Sequence, residues 1–95
     1  METPLNLAIR LLRERLIKGF NHKVKIHIID EGSIVIDQTG VRESNESAEC
    51  TVIASAKTFK SLLTGKTKIK RALMSKKLCI KGSISVAINL GNSLS

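Results

Sequence analysis

From Glu49 to Leu90 the chain switches repeatedly between the two-residue period of a strand and the 3.6-residue period of a helix, which limits it to helices laid against a sheet. The stretch reads ECTVIASAKTFKSLLTGKTKIKRALMSKKLCIKGSISVAINL. Thr51 to Ala54 is a short β-branched run that predicts a strand. Ser55 stands where it would cap a helix, and Phe59, Leu62 and Leu63 would share one face of that helix. Gly65 and Lys66 make a corner, and a short helix through Ala72-Leu73-Met74 follows. Leu78 and Ile80 then alternate with Lys77, Cys79 and Lys81, as in a half-buried strand that Gly82 closes. A last helix carries Val86, Ala87 and Leu90.

Upstream, Thr3 followed by Pro4 is a capping oxygen and then a first-turn proline, a good helix start. Leu5, Ala8, Ile9, Leu12, Leu16 and Ile17 recur at helical spacing, Glu14 and Lys18 form an i,i+4 pair, and Gly19 ends the helix. The stripe is read as a face docked on a sheet, with a free membrane-surface helix as the alternative. Val24, Ile26 and Ile28 alternate with polar residues, Asp30-Glu31-Gly32-Ser33 supplies a hairpin turn, and Ile34 and Ile36 lie on one face of the return strand. Thr39-Gly40 is the next turn, and Val41 to Ala48 is polar, with at most a very short strand. The expectation is one domain over residues 1–95: an N-terminal amphipathic helix at 1–19, then sheet and covering helices at 22–90. Its class is α+β, a mainly antiparallel sheet with helices on one face.

Charge narrows the function. Residues 1–49 hold seven Lys and Arg against eight acids, whereas residues 50–95 hold nine bases and no acid, so the formal +8 sits in the second half. That half is drawn to phosphate, lipid headgroups or acidic protein. Cys50 and Cys79 have no metal-ligand spacing and read as reduced, packed thiols, with a disulfide between neighbouring strands as the alternative. No apolar run reaches the roughly 20 residues that span a bilayer, so the expected location is cytoplasmic.

Catalytic motifs fail one by one. Gly65-Lys66-Thr67 copies the end of a phosphate-binding loop, but Lys60 stands where the loop's first glycine is needed. His22 and His27 lack a Cys or acid at ligand spacing, and Asp30, Glu31 and Asp37 belong to turns. No Gly-x-Ser-x-Gly elbow occurs. No enzyme activity, cofactor or metal is expected. Nucleic acid would find cations, but with only Phe20 and Phe59 as aromatics the chain lacks a stacking platform, so nucleic-acid binding ranks third among the readings.

In order and spacing, the segments Asp30-Glu31-Gly32-Ser33, Ile34-Val35-Ile36-Asp37, Ala48-Glu49-Cys50-Thr51-Val52-Ile53, Thr64-Gly65-Lys66, Ala72-Leu73-Met74 and Lys77-Leu78-Cys79-Ile80-Lys81-Gly82 resemble the sterol carrier protein two-like domain. The resemblance covers roughly two-thirds of the chain, from Val24 to Leu90. It implies a five-stranded sheet covered by helices, with an apolar tunnel between the layers for fatty-acyl, sterol or isoprenoid chains. It also implies lipid carriage or presentation without chemistry, in some bacterial relatives as accessory factors in isoprenoid-quinone synthesis. Carried over by position, Phe59, Leu62, Leu63, Ala72, Leu73, Met74, Leu78, Ile80, Val86, Ala87 and Leu90 would line the tunnel. Many family members start the short helix with Asp/Asn-Pro, where this chain has Lys68-Ile69. Lys66, Lys68, Lys70, Arg71, Lys76 and Lys77 would form a basic rim that docks on anionic membrane. The expected partners are a lipid or isoprenoid ligand, a transient membrane surface and a membrane-associated enzyme complex. If the same apolar residues instead fill the core, the chain is a protein-interaction accessory.

Overall fold

A computed structural model describes residues 2–94, so the first and last positions of the expected 1–95 unit lie outside the described residues. Helix α1 spans Pro4–Arg15, opened by Thr3, whose Oγ1 accepts a hydrogen bond from the Asn6 amide at 3.1 Å. It ends four residues before Gly19, with Leu16 as its C-cap. The apolar period runs on past this stop, and two expectations fail there. Ile17 leaves the stripe and is 86% exposed. Glu14 reaches back to Arg10, at 3.6 Å, instead of forward to Lys18.

Strands β1 (Val24–Ile28), β2 (Gly32–Asp37), β3 (Gly40–Glu43), β4 (Cys50–Ala54) and β5 (Leu78–Gly82) form one sheet in the order β3-β2-β1-β4-β5. Three pairings are antiparallel, while β1 and β4 run parallel, with Ile26 opposite Val52. The sheet is therefore mixed. The parallel pair needs a crossover, which the polar stretch after β3 provides on the outer face. There Lys25 Nζ donates to the Asn45 carbonyl at 3.4 Å, Lys23 pairs with Glu46 at 3.0 Å, and Val35 is fully buried between Lys25 and Arg42.

Helices α2 (Ala56–Leu63), α3 (Ile69–Met74) and α4 (Ile84–Leu94) join α1 on the opposite face. Val24, Ile26, Ile28, Ile34, Ile36, Cys50, Val52, Ala54 and Leu78 point into the core between the layers. The strand period sends neighbours to opposite sides. Cys50 is accordingly buried inside, while Cys79 is exposed outside and opposite Ile53. The two thiols lie on opposite faces of the sheet and are free.

Candidate functional site

A cavity of about 520 Å³ lies over the central register pair Ile26 and Val52. Its walls are Phe59, Leu62 and Leu63 of α2, Ile69 of α3, and Ile88, Leu90 and Leu94 of α4. Ser55 starts α2 by accepting from the Thr58 amide at 3.3 Å, which sets the helix phase that points Phe59 and Leu63 inward. One side closes where α4 meets α3 so tightly that a Cβ on Gly91 would lie 2.7 Å from Ile69 Cγ2. Exposed Gly65, Lys68, Lys70 and Asn92 make the rim.

A second hollow of about 310 Å³ lies between α1 and α2, over Ile28. Ala8 and Leu11 of α1 and Ala56 of α2 line it, with exposed Glu2, Lys57 and Lys60 at its edge. Phe59 and Leu63 line both spaces.

Of the residues carried over from the family, Phe59, Leu62, Leu63 and Leu90 surround the first cavity. Ala72, Leu78, Val86 and Ala87 are packed into the core without reaching it, and Leu73 and Ile80 lie half-buried against that core. Met74 is corrected from tunnel wall to surface, since it is 85% exposed. The sequence reading also passed over lining residues. Ile26 and Val52 are legible as inward strand positions, Ile88 falls two residues before Leu90 in α4, and Leu94 continues the stripe one turn beyond Leu90.

Among the expected rim cations, Lys68 and Lys70 line the cavity, Lys66 is exposed in the same corner, and Arg71, Lys76 and Lys77 are exposed on and after α3. None of the nine bases of the second half forms an ion pair with a described residue. The acids sit in the first half, and several of them are held by its own bases. Arg42 pairs with Asp37 at 3.0 Å and with Glu46 at 2.7 Å. Its guanidinium, helped by Thr39, keeps the Asp37 carboxyl well below the usual carboxylate range. With help from Lys23 and Ser44, it also holds Glu46 down to about 2. Burial pushes the Cys50 thiol up, which suits an inert core group. Among the described residues no three His, Cys, Asp or Glu side chains gather as metal ligands, and no helix is long and apolar enough to cross a membrane.

The chain overlays on the sterol carrier protein-2 of Aedes aegypti in complex with palmitate with a TM-score of 0.82 and 20% identity, over 100% of this chain and 97% of that one. The UbiJ-SCP2 ubiquinone synthesis protein aligns with a TM-score of 0.60 and 22% identity, over 92% of this chain and 74% of that one. A sec-alkylsulfatase from Pseudomonas sp. contains a similar unit, with a TM-score of 0.64 and 12% identity over 88% of this chain, but only 14% of the enzyme. The fold thus also occurs as a minor part of an enzyme. No curated protein matches the sequence. The model of the SCP-2 sterol transfer family matches residues 5–95, and the chain belongs to that family.

Proposed function

We propose that residues 1–95 act as one lipid-binding unit that takes the apolar chain of a lipid into the first cavity and carries or presents it without chemical change. The observation that carries this reading is the pairing of an apolar interior with Lys68 and Lys70 at its rim. Such a site suits a ligand with an apolar tail and an anionic head. Each buried methylene would add about 0.8 kcal/mol. The palmitate held by the Aedes aegypti relative has this chemistry. The exposed cations Lys66, Lys68, Lys70, Arg71, Lys76 and Lys77 would dock on anionic bilayer at roughly 1 kcal/mol for each charge near the surface. There α4, which walls the cavity through Ile88, Leu90 and Leu94, would loosen to admit the tail.

Native and denaturing mass spectrometry of the protein purified from its host tests the reading. A stoichiometric lipid or fatty acid is the expected adduct, and an isoprenoid-quinone precursor would identify the carrier as an accessory to quinone synthesis. An empty protein that also takes up no fluorescent acyl probe would overturn the carrier and favour a filled-core interaction module. Charge reversal at Lys68, Lys70 and Arg71 should lower sedimentation with anionic vesicles by at least tenfold in affinity. Unchanged sedimentation would remove the docking step.

A further inference from the structure

The two hollows meet at Phe59 and Leu63, which line both. These side chains are 4% and 3% exposed, so protein encloses them, and they stand as the wall that the two hollows share. They stand one turn apart on α2 and therefore stack on one helix face. The floor beneath them is continuous, because Ile26 under the first hollow and Ile28 under the second are successive inward residues of β1. Each hollow also ends at lysines, Lys68 and Lys70 on one side, Lys57 and Lys60 on the other.

We infer that Phe59, backed by Leu63, is a partition that sets the length of apolar chain the protein accepts. This inference rests on the reading that the first cavity holds such a chain. A tail entering past Lys68 and Lys70 runs along Ile26 and stops against the Phe59 ring. Only when the ring turns aside does the tail reach the further 310 Å³ or so over Ile28. Chain length is thus selected by one side chain and not by the overall depth of the fold.

The test is displacement of a fluorescent acyl probe by saturated fatty acids of about 10 to about 20 carbons, in the wild type, Phe59→Ala and Phe59→Ala/Ala56→Leu. Affinity should rise about fourfold per methylene while the tail is still finding apolar wall, and then stop rising. In Phe59→Ala the break should move several carbons longer. Filling the second hollow with Ala56→Leu should bring it back. If Phe59→Ala does not fold, Phe59→Leu takes its place, with a smaller displacement expected. A break at the same length in wild type and variant, whether affinities are equal or uniformly lower, overturns the partition and leaves the carrier reading intact. A wild type whose affinity climbs without a break overturns it too. Failure of the wild type to bind any chain overturns both readings.

Discussion

Gly82 and Gly40 both have φ in the range that disfavours side chains, +95° and +121°, but their surroundings differ. A Cβ on Gly82 would collide with the Glu49 carbonyl oxygen, a backbone atom that cannot swing away, whereas nothing lies within 4 Å of one on Gly40. Gly40→Ala should therefore cost only backbone strain, about 1 kcal/mol. Gly82→Ala adds a forced backbone shift and should cost about 3 kcal/mol. In thermal melts these losses correspond to about 5 °C and more than about 10 °C. Equal losses would show that β5 can move away from Glu49. Legibility in the sequence also varies residue by residue. Phe59 and Leu63 could be read as inward because α2 is long enough for its period to show a face. Met74 could not, since α3 has six residues and its last position has no later turn to fix its direction. Ile17 misled for the opposite reason: an apolar period carries no mark of where hydrogen bonding stops, and α1 stops at Arg15.

Among the elements, the order of strands and helices followed from the changes of period, but the parallel pairing of β1 with β4 did not. Side-chain alternation is the same in parallel and antiparallel strands, and the crossover that decides the direction is polar and short. Helix α3 is a different case, where sequence and structure point to the same departure. Its N-cap is Lys68, which makes no side-chain capping bond, and a cation there also opposes the helix dipole. The same lysine stands on the cavity rim. Lys68→Asp should therefore raise stability by about 1 kcal/mol, or roughly 5 °C in the thermal midpoint, through the new cap. It should also weaken binding to anionic vesicles about tenfold to thirtyfold, because a cation near the surface is replaced by an anion. Opposite movement of the two readouts is the expected signature of a rim that has given up stability for charge. If the midpoint falls instead, Lys68 holds the corner in a way its absent cap does not suggest.

Across the whole molecule the charges are sorted. Acids lie only in the first half of the chain, several of them bound to its own bases around the outer face, and the cations of the second half have no ion-pair partner among the described residues. Low pH should therefore act first on the crossover that makes the sheet mixed. Asp37 and Glu46, held by Arg42 and Lys23, ionise in the folded chain at lower pH than in the unfolded one, where carboxyls titrate near 4. Groups with depressed values stabilise the fold fully above the unfolded value, and that contribution disappears as pH falls through the folded one. The thermal midpoint should stay level from pH 7 to about 5 and then decline modestly towards about 2, because these pairs are exposed and solvent screens them. Glu46→Gln loses the charge that Arg42 and Lys23 share, so its midpoint should start lower at neutral pH and fall less, meeting the wild-type curve near pH 2. General repulsion among the remaining cations acts on both proteins alike, so convergence isolates the carboxylate. Parallel curves would mean that Glu46 contributes nothing through its charge. At pH 7 the variant should still sediment with anionic vesicles like the wild type, because Glu46 pairs with Lys23 and Arg42 and with none of the rim cations. Lost vesicle binding would show that the crossover and the basic face are coupled through the sheet.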